Sequence, residues 1–293
     1  GYKMSIKSIS LDIFFFCKED EKMIEQVKNA KPLIHCITNK VTMNDCANAL
    51  LAIGGSPIMA DDEAEVEDIT SICQGLLINI GTLNQATIPS MIKAGKKANA
   101  LQHPVLLDPV GIGASQLRYQ TVQQLLKEVH FDVIRGNISE MKALMNIQSQ
   151  SRGVDANASD SITDENLDEN IIWLQQLSSK TGAIIVVSGA IDVIVDSQNA
   201  YIVRNGCQEM SMITGTGCIL SAIMSAFMVV HRQRLLEACT YVSALMGYCG
   251  ELAKNKMLVE KLGVGSLRVY LMDYLSLMND GILKKGMKIE KRC

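Results

Sequence analysis

Short apolar runs alternate with longer stretches of helical periodicity along most of this chain. The runs fall at residues 32–37, 56–60, 76–81, 104–108, 131–135 and 183–187. An uninterrupted apolar run reads as a strand covered on both faces, because a strand with one wet face alternates apolar with polar positions. Helices are expected between these runs, over 21–29, 46–53, 61–73 and 85–101. Three more are expected: after the loop 109–115 up to 129, from Gly136-Asn137 through 145, and up to 180. Asn44 and Asp45 are placed to cap the second helix, and Gly54-Gly55 to close it. Residues 193–196 and 200–203 read as a hairpin around Ser197-Gln198-Asn199. From Gly217 to about 280 the pattern is mainly three helices. Strand-helix alternation of this kind predicts one doubly wound α/β domain over 21–285, with a mostly parallel central sheet and helices on both faces. Residues 149–170 are polar and acidic and are expected to be a mobile surface loop. Residues 1–20 lie outside the pattern, as an N-terminal extension for which disorder is one reading.

One stretch is unusual within this pattern. Thr214-Gly215-Thr216-Gly217-Cys218 turns directly into Ile219 through Val230, which has no Pro, no Gly and no charge. A helix of that composition is buried on every side. Glycines before it let the backbone approach a ligand, and the free N–H groups and dipole of the helix start favour an anion. Cys218 falls in the first turn, where that field is expected to favour its thiolate. The bland reading is a packing turn followed by a small buried residue.

Composition narrows the function classes. The chain has 293 residues, 48% of them hydrophobic but only 4% aromatic, which implies an aliphatic core. A net charge of −3 with no basic block argues against a nucleic-acid partner. Nine cysteines are scattered without a Cys-x-x-Cys pair, which argues against a zinc site or disulfide framework and for a reducing, cytoplasmic setting. Phe14-Phe15-Phe16 resembles a signal-peptide core, but Asp12 interrupts it and no small-residue cleavage site follows. The apolar helix after Gly217 stops at His231-Arg232, short of a membrane span.

In open α/β sheets ligands bind beyond the carboxyl ends of the strands. Asp108, Arg135 with Glu140, and Ser188-Gly189 stand at such ends. Asp108 also reads as a turn residue and Glu140 as a first-turn acid that offsets the helix dipole. A guanidinium at the end of a buried strand calls for an anion or a carboxylate. Gly111-Ile112-Gly113-Ala114-Ser115-Gln116 follows a strand but ends in Gln where a dinucleotide fingerprint needs Gly or Ala. No Gly-x-x-x-x-Gly-Lys-Ser/Thr stretch is present, and the four histidines suggest neither a triad nor a metal site.

Several blocks together carry a resemblance. Ile37-Thr38-Asn39, Asn44-Asp45-Cys46-Ala47-Asn48-Ala49-Leu50, Ser56-Pro57-Ile58-Met59-Ala60 and Asn79-Ile80-Gly81-Thr82-Leu83 are similar to bacterial hydroxyethylthiazole kinases. So are Leu107-Asp108-Pro109-Val110-Gly111-Ile112-Gly113-Ala114, Ile134-Arg135-Gly136-Asn137 with Glu140, and the Gly215 turn. The match runs in order over about residues 30–280. It implies a ribokinase-like three-layer sandwich and transfer of the γ-phosphate of ATP, with Mg²⁺, to a thiazole alcohol in thiamine biosynthesis or salvage. It further implies that Met59, Asn39 and Gly215 bind the alcohol, and that Arg135, Ser188 and Gly217 bind ATP. Asp108 and Glu140 act through Mg²⁺ on this reading, Cys218 is the catalytic residue, and the enzyme is a homotrimer with its thiazole site near a subunit boundary. Ala190 departs from the pattern, because relatives often have Glu there. Two alternatives remain open at this point: a ribokinase-like kinase for a pyrimidine or pyridoxal alcohol, and a non-catalytic sensor.

Overall fold

The computed structural model describes residues 22–149 and 161–292. The expected extension and half of the expected acidic loop therefore lie outside the described residues. The first half runs α1 (Met23–Ala30), β1 (Leu33–Ile37), α2 (Met43–Ala52), β2 (Ser56–Ile58), α3 (Val66–Ile72), β3 (Gly75–Asn79), α4 (Thr87–Ala100), β4 (Val105–Asp108), α5 (Gln116–Glu128) and β5 (Val133–Gly136). It continues with α6 (Ile138–Ser149), α7 (Leu167–Thr181), β6 (Ile184–Val187), β7 (Asp192–Val195), β8 (Ala200–Val203) and α8 (Thr216–Val230). The chain then forms α9 (Leu235–Val259), α10 (Val264–Leu277), α11 (Asp280–Gly286) and β9 (Ile289–Arg292).

The nine strands form one sheet in the order β2-β1-β3-β4-β5-β6-β7-β8-β9. The pairings from β2 across to β6 are parallel, and β7, β8 and β9 add three antiparallel strands at the far edge. Successive strand residues point to opposite faces, so each central strand feeds two cores. Leu77, Leu106, Val133 and Val186 pack with α1, α2, α8, α9 and α10 on one face. Leu76, Ile78, Leu107, Ile134 and Ile185 pack with α3 to α7 on the other. Two helical layers around a mostly parallel sheet are the three-layer arrangement expected from the sequence.

The helix expected over 46–53 with an Asn44-Asp45 cap instead begins at Met43, so both residues lie inside its first turn and Asp45 pairs with Arg268. Another boundary and one strand also differ from expectation. The acidic helix begins at Val66 rather than near Asp61, because Asp62 Oδ1 accepts from the Ala64 N–H at 2.8 Å and holds a turn. Strand β9 was not expected. Its Ile289-Glu290-Lys291-Arg292 sequence buries only Ile289 fully, so it lacks an apolar run. Among the described residues no single helix is long and apolar enough to cross a membrane; α8 reaches such a length only together with residues 232–259, across a 109° bend.

The chain enters the sheet at β1, steps outward to β2, then crosses back to β3 on the other side of β1. The order reverses between β1 and β3, and a crevice opens beyond their carboxyl ends at such a switch point. Helix α8 lies against β3 and β4 with its N-terminus at this crevice.

Candidate active site

The start of α8 is shaped by its neighbours. Gly215 holds φ +87, and a Cβ there would lie 2.3 Å from Thr42 Cγ2. A Cβ on Gly217 would lie 2.4 Å from an Arg135 guanidinium nitrogen. Both positions need glycine, one for its backbone angle and contact, the other for close approach to a cation.

Two cavities meet at this turn. The smaller, about 380 Å³, is lined by Asn39, Thr42, Gly81, Val110, Glu140, Gly215 and Cys218, among others. The larger, about 670 Å³, is lined by Ser188, Gly189, Asp192, Asn205, Met210, Met246 and Gly247, among others. Arg135 and Gly217 line both. A guanidinium and a helix N-terminus at a shared wall place two anion-binding elements where one cavity opens to the next.

Behind the shared wall lies a buried polar network. Asn79, the last residue of β3, donates through Nδ2 to Asp108 Oδ2 at 2.8 Å, and that nitrogen lies 3.3 Å from Cys218 Sγ. Asn39 Nδ2 donates to Cys218 Sγ at 3.0 Å and to Asn79 Oδ1 at 3.2 Å. Asn39 Oδ1 accepts from the Thr42 N–H at 3.1 Å and its hydroxyl at 3.0 Å. Ser221, one turn into α8, donates to the same Asp108 oxygen at 2.8 Å. Arg135 Nη1 lies 3.7 Å from Asp108 Oδ2, and its other terminal nitrogen donates to Ser188 Oγ.

Asp108 is fully buried, and its second oxygen, Oδ1, has no hydrogen-bond partner. Burial pushes its carboxyl up to about 6, with Arg135 pulling it down and Glu140 pushing it up. A buried carboxylate oxygen without a donor is costly, and a cation beside it would relieve that cost. Among the described residues no three His, Cys, Asp or Glu side chains cluster as a metal cage. A cation held at Asp108 would need its other oxygens from ligand and water, as Mg²⁺ commonly does.

Glu140 is held firmly. Oε1 accepts from the Gly111 N–H and Oε2 from the Asn137 N–H, both at 2.8 Å. Asn137 Oδ1 in turn accepts from the Glu140 N–H at 2.9 Å. This reciprocal pair is a capping box at the start of α6, tying the Gly111 loop to that helix.

The helix-field expectation for Cys218 is corrected. Burial raises its thiol above the ordinary value and the Asp108 charge adds to the rise, while hydrogen bonds with Thr42, Asn79 and Asn39 pull back. Desolvation is the largest of these influences because the side chain is buried.

The structure thus brings Asn39, Arg135, Glu140, Ser188, Gly215, Gly217 and Cys218 to the walls of two adjoining cavities, with Asp108 fully buried behind them and lining neither. Met59 is not among the residues lining either. It follows β2 at the sheet edge and packs, half-buried, on the core. Asn39 lines the smaller cavity, but both ends of its amide are engaged by protein groups. Sequence reasoning missed Asn79 and Asp192. Asp192 is buried at the start of β7, accepts from the Gly189 N–H at 2.9 Å and has its carboxyl pushed up to about 7, first by burial. Its signal was a charged residue opening an apolar strand.

Comparisons with known proteins point to one family. The hydroxyethylthiazole kinase family model matches residues 24–280. The chain is 56% identical over 253 residues to the hydroxyethylthiazole kinase of Clostridium acetobutylicum, covering 86% of this chain and 92% of that one. It is 47% identical over 267 residues to the enzyme of Desulfovibrio desulfuricans, covering 89% and 93%. The solved structure of hydroxyethylthiazole kinase from Pyrococcus horikoshii superposes with a TM-score of 0.82 at 32% identity, covering 92% of this chain and 98% of that one. A ribokinase-like protein from Enterococcus faecalis shares the fold, with a TM-score of 0.57 at 13% identity, covering 89% and 92%.

Proposed function

The chain belongs to the hydroxyethylthiazole kinase family, and from that premise we infer that it phosphorylates the hydroxyl of 4-methyl-5-(2-hydroxyethyl)thiazole with ATP, in thiamine biosynthesis and salvage. The observation that carries the reading to this chain is the pair of cavities with Arg135 and Gly217 as their common wall. A nucleotide in the larger cavity presents its terminal phosphate there, within reach of an alcohol in the smaller.

Transfer forms a bond between the alcohol oxygen and the γ-phosphorus and breaks the bond from phosphorus to the β,γ-bridging oxygen. The electron pair of that bond leaves with ADP. Such a transition state is loose, so catalysis is mostly positioning and charge neutralisation. Arg135 supplies a fixed cation, and the unpaired N–H groups at the start of α8 face the charged oxygens. Cys218 Sγ, in its thiolate form, takes the hydroxyl proton and becomes a thiol. Gly215 and Asn39 shape the alcohol side, and Ser188 holds Arg135 on the nucleotide side.

The residues present fit Mg²⁺, since Asp108 Oδ1 is buried and lacks a donor. Asp108 would hold the ion, and Glu140 would act through water, its two oxygens already taking backbone N–H groups. Bound there, Mg²⁺ neutralises phosphate charge.

The same reading makes the enzyme a cytoplasmic homotrimer, with residues 21–285 as one kinase domain. Two features support a site near a subunit boundary. Val41 lines the alcohol cavity yet is 66% exposed, and Met59 lies at an edge strand outside that cavity. The seven described cysteines are all free, in keeping with a reducing compartment.

A panel of thiazole, pyrimidine and pyridoxal alcohols with ATP and Mg²⁺ tests the substrate. The thiazole alcohol should give the highest kcat/KM. A preference for either of the others would replace the thiazole reading with another ribokinase-like kinase.

A further inference from the structure

Asn79 is the hub of the buried network, and neither the cavity lining nor the transfer chemistry above gives it a role. It sits at the carboxyl end of β3, beside the switch point, and is buried. Its amide orientation is fixed by the backbone. Oδ1 accepts from the Gly81 N–H at 2.8 Å, and a backbone N–H cannot become an acceptor. Nδ2 must therefore face the other way, toward Asp108 Oδ2 and Cys218 Sγ. The Asn39 amide is fixed in the same manner by the Thr42 N–H, so its Nδ2 also faces Sγ.

Two amide N–H₂ groups thus converge on one sulfur, and both are donors. The sulfur is held as an acceptor on its protein side. Its remaining directions are the Thr42 hydroxyl, which lines the same cavity, and that cavity itself. A buried neutral cysteine serving only as packing needs no such pair of donors.

We propose that Asn79 is a positioning residue for phosphoryl transfer, holding Cys218 Sγ as an acceptor aimed at the alcohol and tying it to the Asp108 carboxylate. The inference rests on the thiazole kinase reading. It adds that the sulfur's orientation is set by an amide on a different strand.

The test is a double-mutant cycle read by thiazole-dependent ADP formation, with melting temperatures to show folding. Asn79→Ala should lower kcat about tenfold to a hundredfold, with both KM values within about threefold of wild type. In a Cys218→Ala background the same change should cost less than about threefold, because the group it acts through is gone. Ser221→Ala removes the other donor to Asp108 Oδ2 and gauges what Asn79 contributes through that carboxylate; its cost should be equal in both backgrounds. Should Asn79→Ala not fold, Asn79→Asp keeps volume and the Gly81 acceptor while losing the donor, and kcat should fall at least as far. Equal losses from Asn79→Ala with and without Cys218, or an Asn79→Asp enzyme with wild-type kcat, would overturn the role. A wild type that makes no thiazole-dependent ADP defeats the kinase reading itself, a separate result.

Discussion

Cys218 is acted on by opposing influences. Burial and the Asp108 charge favour the thiol, whereas the Asn39 and Asn79 donors favour negative charge on sulfur. A base that is mostly protonated contributes modestly, and the loose transition state asks for late proton transfer. Cys218→Ala should therefore lower kcat by about 10²-fold, the low end for general-base assistance, with little change in KM for the alcohol. Cys218→Asp should retain activity, because a carboxylate is ionised in the working range and can accept from both amides. Steady-state kinetics and melting temperatures of both variants check this. Wild-type kcat in the Ala variant with an unfolded Asp variant would reduce Cys218 to packing. The position of Cys218 at a helix start was legible in the sequence, but the direction of its shift was not. That direction depends on Asp108, 110 positions earlier in the chain, and on burial that only the fold supplies.

Among the elements, the central strands were legible because covering both faces of a strand demands an unbroken apolar run. Strand β9 carries no such run and was missed. Helix α1 shows how distant parts of the chain are pinned together. Asp280, at the start of α11, accepts from the Ile24 N–H at 3.0 Å, the Glu25 N–H at 3.1 Å and the Tyr241 hydroxyl at 2.6 Å. It caps α1 from more than 250 residues away. Asp280→Ala leaves those donors without their acceptor, and should cost about 2–3 kcal/mol in urea unfolding. A loss below about 0.5 kcal/mol would show the cap to be dispensable. Asp192, opening β7, gives a pH-dependent counterpart. Its folded carboxyl, pushed up to about 7, binds its proton more tightly than in the unfolded chain. Folding stability from this group therefore falls as pH rises from the ordinary carboxylate range through about 7, where the buried charge must be carried. Asp192→Asn keeps the acceptor for the Gly189 N–H and removes that charge. Its gain in melting temperature over wild type should be larger at pH 8 than at pH 5, and an equal or reversed gain would contradict the burial account.

For the whole molecule, the doubly wound sheet sets a switch point between β1 and β3, and α8 aims its N-terminus there. That architecture and most of the residues that line the candidate site were legible, because family blocks coincide with strand ends. The division into two cavities sharing Arg135 was not, since it arises from how α8 and α9 lie over the sheet. Exposed Val41 at the smaller cavity, with Met59 outside it, fits the proposed site completed by a neighbouring copy. Light scattering should give three times the chain mass, and a monomer with full activity would remove the trimer from the account. The central claim is direct transfer from ATP to the thiazole alcohol. It is tested by incubating the enzyme with ATP labelled at the γ-phosphate and following the label. The account predicts label in thiazole phosphate, equal in amount to the ADP formed and absent when the alcohol is omitted. Label recovered as inorganic phosphate, or ADP formed equally without the alcohol, would contradict it.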